Sequence, residues 1–181
     1  MRVFIAVKFN ADIKNSIDSV RETIEKESKR GNFTPKDNYH LTLKFIGEVS
    51  PDETEDIARA AALAASRNRA FDITLSHIGY FARQGGLIPW IGADDSEQLK
   101  KLVSTVEREL EKCGYKRERR PFKSHITLGR EVTLKADKKD FINTIKFDAL
   151  NVHVSEIYVM ESVRQGGKLI YKPLFCARLK S

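Results

Sequence analysis

The segment His40-Leu41-Thr42-Leu43 returns 85 residues later as His125-Ile126-Thr127-Leu128. At the same offset, Phe4-Ile5-Ala6-Val7 stands against Pro89-Trp90-Ile91-Gly92. Phe71-Asp72 and His77 are echoed by Phe147-Asp148 and His153 at an offset of 76, and Arg83-Gln84-Gly85-Gly86 by Arg164-Gln165-Gly166-Gly167 at 81. The matching pieces keep their order, which chance does not readily supply four times. The repeat predicts one domain over 1–181, built from two similar lobes of about 1–88 and 89–181. A chain of 181 residues suits two small lobes sharing one core.

Local patterns fill in the lobes. Val3 to Phe9, Tyr39 to Ile46, Phe71 to Phe81 and Leu87 to Ile91 read as strands. So do Ser124 to Leu128, Phe147 to Met160 and Leu169 to Leu179. Helical spacing runs from Asp12 to Ser28 through Ile13, Ile17, Val20 and Ile24. A second helix starts at Ser50-Pro51-Asp52-Glu53, with Ser50 as N-cap and Glu53 completing a capping box, and runs to about Ser66. A third covers Ser96 to Cys113 and closes on Gly114, and a fourth covers Lys135 to Asn143. The patterns predict an α+β fold of two similar lobes, with mainly antiparallel sheets flanked by helices.

Side chains alternate along a strand, so His40 and Thr42 share one face while Leu41 and Leu43 take the other. The same holds for His125 and Thr127 against Ile126 and Leu128. If a pseudo-two-fold axis relates the lobes, it brings both His-Thr pairs to one site. Of two imidazoles titrating near neutrality, one can remove a proton and the other supply one in a single turnover. Two hydroxyls can donate to the oxyanions of a phosphodiester. A lone H-x-T-x is weak evidence; two at matching repeat positions are strong.

These residues resemble the two-histidine (2H) phosphoesterase superfamily, and within it the bacterial and archaeal RNA 2',3'-cyclic phosphodiesterases, also called 2'-5' RNA ligases (LigT-like). The resemblance rests on Arg2-Val3-Phe4-Ile5-Ala6-Val7, His40-Leu41-Thr42-Leu43-Lys44-Phe45-Ile46-Gly47, His125-Ile126-Thr127-Leu128-Gly129-Arg130, and the ending Glu161-Ser162, Gly167 and Tyr171. It implies a bilobal, pseudo-two-fold fold of two mainly antiparallel sheets with an active-site cleft between the lobes, and metal-independent hydrolysis of an RNA terminal 2',3'-cyclic phosphate to a 2'-phosphomonoester, without a cofactor. His40 would be the proton donor to the leaving 3' oxygen, His125 the proton acceptor that activates water, and Thr42 and Thr127 the phosphate-binding hydroxyls. RNA ends carrying a cyclic phosphate are the implied partner, with tRNA fragments one candidate, and the chain is expected to act as a monomer.

Arg130 could neutralise phosphate charge, but five positions from His125 it falls on the wrong face of a regular strand and reaches the site only if the strand ends or bulges. Phe45 holds the same repeat position in the first motif, and core packing is its expected role. Trp90 could stack a base, and Arg119 and Arg120, within the basic run Lys112 to Lys123, could guide RNA phosphates. A net charge of +7 suits an anionic partner or plain solubility. His77 and His153 are expected to be peripheral. Cys113 and Cys176 form no CxxC, the histidines show no ligand spacing, and no metal site is expected. The absence of an 18-residue apolar run or a signal-like start points to a cytoplasmic protein away from membranes. The alternatives are 2'-5' RNA ligation at the same site, a non-catalytic RNA-binding protein, and a phosphodiesterase for a small non-RNA ester.

Overall fold

The computed structural model describes residues 1–135 and 140–181. β1 (Arg2–Lys8) leads into α1 (Ala11–Lys26), capped by Asn10, whose Oδ1 accepts the Ile13 N–H at 2.9 Å. Ile17, Val20 and Ile24 are its buried stripe. β2 (Ser28–Phe33), a 3-10 turn (Lys36–Asn38) and β3 (His40–Glu48) follow. Next come α2 (Glu53–Ser66), β4 (Phe71–Arg83), β5 (Gly86–Ala93) and α3 (Glu97–Lys112). The chain ends with β6 (Ile126–Thr127), β7 (Gly129–Leu134), α4 (Phe141–Thr144), β8 (Leu150–Val154), β9 (Glu156–Gln165) and β10 (Lys168–Arg178). No helix among the described residues is long and apolar enough to cross a membrane.

The strands form two antiparallel sheets. One has the order β10-β9-β1-β3; the other has the order β2-β7-β5-β4-β8, with β6 beside β5. The repeat is visible in the centres: β1 lies between β9 and β3, and β5 between β4 and the β6–β7 pair, so each His-x-Thr strand pairs with the strand the repeat assigns to it. The division at 88/89 is not a boundary in space. It falls inside β5, and each sheet draws strands from both sequence halves. β4 ends the first half but pairs with β5, and β9 returns from the second half to pair with β1.

One apolar core joins both sheets, from Val3, Ile5, Val7, Leu41, Ile157 and Val159 on one to Ile73, Leu75, Ile91, Ile126, Val132 and Val152 on the other. α2 packs on β9 and β10 and against α3, and α3 packs on β3. A separate small cluster of Phe4, Ala6 and Met160, with Tyr158 and Tyr171 against it, occupies the opposite face of the first sheet.

Several elements differ from the sequence expectation, each for a local reason. The expected strand 147–160 is two strands that serve different sheets and break at Ser155. Its buried residues change phase there, from Val152 and Val154 to Ile157 and Val159. β2 escapes the period-2 pattern because Ser28-Lys29-Arg30-Gly31 carries little apolar signal. The strand expected at 124–128 is only two residues long, and β7 follows after a break at Leu128. In the Ser50 box, Glu53 Oε2 accepts from Ser50 N at 2.7 Å, but the helix proper begins only at Glu53. The fourth helix is the short α4, and the rest of its expected span includes residues 136–139, outside the described residues.

A buried ion pair ties β3 to α3: Lys44 Nζ lies 2.9 Å from Glu107 Oε2 and also donates to the Lys116 carbonyl at 2.8 Å. Glu107 also accepts from the Glu118 N–H at 3.2 Å. Breaking such a pair leaves one charge buried alone, so Glu107→Ala should cost about 3–5 kcal/mol in denaturant titration. A Lys44→Met/Glu107→Leu double variant should recover most of that loss.

Candidate active site

Both His-x-Thr pairs open onto one cavity of about 1380 Å³, lined by His40, Thr42, His125 and Thr127 together with Arg130 and Phe45. Leu41, Ile126 and Leu128 are fully buried in the core behind them. The alternation expected from the sequence is thus realised on both strands.

Each imidazole is held the same way. His40 Nδ1 is 2.7 Å from the Asn38 carbonyl oxygen, and His125 Nδ1 is 2.8 Å from that of Lys123. A carbonyl oxygen only accepts, so Nδ1 carries the hydrogen in both rings. Each neutral histidine is therefore the Nδ1–H tautomer, with Nε2 free to take a proton or, once protonated, to give one.

The surroundings of the two rings differ. His40 sits against Phe4 (ring centroids 4.8 Å apart) and edge-on to Tyr171 (4.9 Å), which itself meets Phe4 edge-on at 5.0 Å. This dry aromatic corner lowers the His40 pKa by desolvation. The Asn38 hydrogen bond opposes that effect, and the charges of His125, Arg130 and Lys14 add to it. His125 has one aromatic neighbour at comparable range, Phe81, edge-on at 5.4 Å.

The fifth residue of each motif also reaches the cavity, against strict alternation. In β3, Ile5 pairs with Lys44 and Ala6 with Thr42, so Leu43 is an extra residue. At this bulge Leu43 and Lys44 are both buried, and Phe45 emerges on the cavity side, 51% exposed. Phe45 is therefore not a core residue, contrary to expectation, and Arg2 lies over its ring at 5.0 Å. In the second motif, β6 ends after Thr127 and β7 starts afresh at Gly129, which turns Arg130 inward. Next to it, Glu131 adopts φ +55° and accepts from Asn32 Nδ2 at 2.7 Å. The strand break that Arg130 required is present.

Other expected site residues are not brought to the cavity. Trp90 is 9% exposed, and its ring lies flat on Gly79, where a Cβ would come within 2.6 Å of it. Lys123 covers it at 4.5 Å, so no face is open to a base. Arg119 and Arg120 are exposed on the segment after α3, and Arg120 pairs with Glu118 at 3.5 Å. His77 and His153 lie outside the cavity beside Asp94 (3.1 Å) and Asp72 (2.7 Å). Both cysteines are free. Among the described residues no three His, Cys, Asp or Glu side chains gather into a metal-binding group. Sequence reasoning missed the lining contributed by Phe4, Asn32, Phe33 and Glu161. Phe4 could have been found from β1, whose alternation places it opposite Val3 and Ile5.

Two antiparallel sheets presenting paired His-x-Thr strands to a shared cavity define an α+β protein of the two-histidine type. The chain belongs to the 2'-5' RNA ligase superfamily, whose family model matches residues 9–166. It is 30% identical over 177 residues to the RNA 2',3'-cyclic phosphodiesterase of Thermotoga maritima, covering 97% of this chain and 94% of that protein. It is 32% identical over 135 residues to the RNA 2',3'-cyclic phosphodiesterase of Escherichia coli, 73% of each chain. The crystal structure of E. coli LigT complexed with 3'-AMP matches with a TM-score of 0.82 at 27% identity, over 99% of this chain and 98% of that one.

The environment of His40 has a consequence for stability. Its folded pKa lies below the usual histidine value of 6.5, so below about that pH the unfolded chain binds more protons than the folded one. Stability should be unaffected by this group above neutrality and fall as pH drops below about 6.5. His40→Gln should remove that component of the decline, read as a smaller difference in unfolding free energy between neutral and mildly acidic pH.

Proposed function

We propose that this protein is an RNA 2',3'-cyclic 3'-phosphodiesterase, opening the cyclic phosphate to a 2'-phosphomonoester by two-histidine acid–base catalysis without a metal, and that residues 1–181 act as one two-lobed unit. The observation that carries the reading is the matched pair of Nδ1–H to carbonyl bonds, which leaves two free Nε2 atoms and two threonine hydroxyls on one cavity. The names of the Thermotoga maritima and E. coli relatives point to the same reaction.

In this reading the cyclic phosphate lies between the two pairs. Thr42 and Thr127 donate to its non-bridging oxygens, and the Arg130 guanidinium offsets their charge. His125 Nε2 takes a proton from water as the water oxygen attacks phosphorus. The P–O3' bond breaks, and protonated His40 gives its Nε2 proton to O3'. The products are a 2'-phosphate and a free 3'-hydroxyl. His125 leaves with the proton that His40 has lost, and exchange with solvent resets both. The family resemblance, rather than the repeat, assigns the two roles.

A depressed His40 pKa runs against an acid role, because it lowers the share of imidazolium in the free enzyme. The bound phosphate supplies the missing stabilisation, since an anion beside Nε2 favours its charged form. Binding of the 2'-phosphate product should therefore raise the His40 pKa above its free-enzyme value, read from the pH titration of its imidazole NMR signals. A His40 titration unmoved by the bound phosphate would count against His40 as the acid.

The direct test is a short RNA ending in a 2',3'-cyclic phosphate, incubated with a chelator. Wild type should yield only the 2'-phosphate, and His40→Ala and His125→Ala should each lose about 10²- to 10⁴-fold in kcat. A fully active His125→Ala protein would overturn the assignment, and binding without turnover would leave an RNA-binding protein. Ligation is the second reading. The cavity exceeds the roughly 300–1,000 Å³ usual for small-molecule sites, leaving room for an RNA 5'-hydroxyl end in place of water. Joining of cyclic-phosphate and 5'-hydroxyl ends by the same protein tests it.

A further inference from the structure

The carbonyl that orients each histidine belongs to the residue two positions earlier, and it aims well only if that residue is itself held. Asn38 is held by the 3-10 turn and by its side chain, whose Nδ2 donates to the Leu169 carbonyl at 2.8 Å. Among the described residues Lys123 lacks a turn or side-chain hydrogen bond of its own, although the next residue, Ser124, is tied to β5 through Ala93, whose N–H donates to Ser124 Oγ at 3.2 Å and whose carbonyl accepts from it at 3.3 Å. Lys123 lies on a stretch between α3 and β6 without helix or strand.

Lys123 is anchored in another way. Its ammonium lies 4.5 Å from the Trp90 ring centre and 5.1 Å from that of Phe81. The two rings are 5.5 Å apart, and Phe81 in turn presents an edge to His125. The indole can lie under the ammonium because its floor is glycine: a Cβ on Gly92 would come within 2.9 Å of the ring, and one on Gly79 closer still. Lys123 does not line the cavity. In a chain carrying a net charge of +7, this cation is directed at two aromatic faces and not at the space where a phosphate would bind.

We propose that Lys123 is a positioning residue for His125: its cation–π seat on Trp90 and Phe81 fixes the carbonyl that takes the His125 Nδ1–H, and thereby sets the tautomer and aim of Nε2. The inference rests on the reading of His125 as the proton acceptor. It also gives Trp90 a role that needs no contact with RNA. The second motif obtains from a cation on aromatic rings what the first obtains from an amide on a β10 carbonyl.

Lys123→Gln removes the charge and keeps the length; Lys123→Arg restores a cation over the rings. Two readouts separate the outcomes. Nitrogen-15 NMR of the His125 imidazole reports its tautomer without any turnover. Steady-state kinetics on the cyclic-phosphate RNA at low and high salt separate kcat from KM. In Lys123→Gln the Nε2–H tautomer should become populated and kcat should fall about tenfold, with KM within about twofold at both salt concentrations. Lys123→Arg should return both readouts to wild type. An unchanged tautomer or an unchanged kcat in Lys123→Gln overturns the proposal. So does a rise in KM that is confined to low salt with kcat intact, which would make Lys123 an RNA phosphate contact. If wild type opens no cyclic phosphate, the functional reading fails, and the tautomer in Lys123→Gln still decides the role of Lys123.

Discussion

A strand can face two environments at once because successive side chains point to opposite sides, and this site depends on that property. Leu41, Ile126 and Leu128 lie in the core, which fixes where His40, Thr42, His125 and Thr127 must go. A slip of one residue in either strand would bury the imidazole and expose the leucine, so the hydrophobic effect that stabilises the sheets also sets the register of the site. The rule is then broken just past each threonine, by the bulge at Leu43 and the interruption at Leu128. Both interruptions turn one more side chain, Phe45 or Arg130, back to the cavity.

The pseudo-symmetry is close in backbone and looser in chemistry. Both rings give Nδ1–H to a carbonyl two residues back. The walls differ: Phe4 and Tyr171 enclose His40, whereas Phe81 alone meets His125. At the fifth motif position one side offers an aromatic ring and the other a guanidinium. Two copies of one motif can thus diverge into a drier and a more open histidine without any change in how the rings are tethered.

Much of this was legible in the sequence, and the limits have identifiable causes. The repeat and its alternation led to both sheets' central strands and to the four motif residues on one cavity. Arg130 could be stated only as a condition, because whether a strand bulges depends on how its partner pairs with it. Phe45 was misread for that reason: nothing in Leu43-Lys44-Phe45 announces that Lys44 will turn toward Glu107, 63 residues away. Trp90 could be offered only as one candidate for base stacking, because its partners, Gly79 and Lys123, come from other elements. The unpredicted β2 and the split of 147–160 into two strands reflect weak apolar signal and a change of phase, the second of which was visible in the residues.

The chain passes between the two sheets four times, at β1–β2, β2–β3, β3–β4 and β8–β9, and the last passage is the single residue Ser155. The walls of the cavity are therefore laced together, and one core runs through both. They have no single hinge about which to swing apart. A rotation of one wall against the other would have to bend all four passages together, so the lacing resists such a motion at four places and not at one.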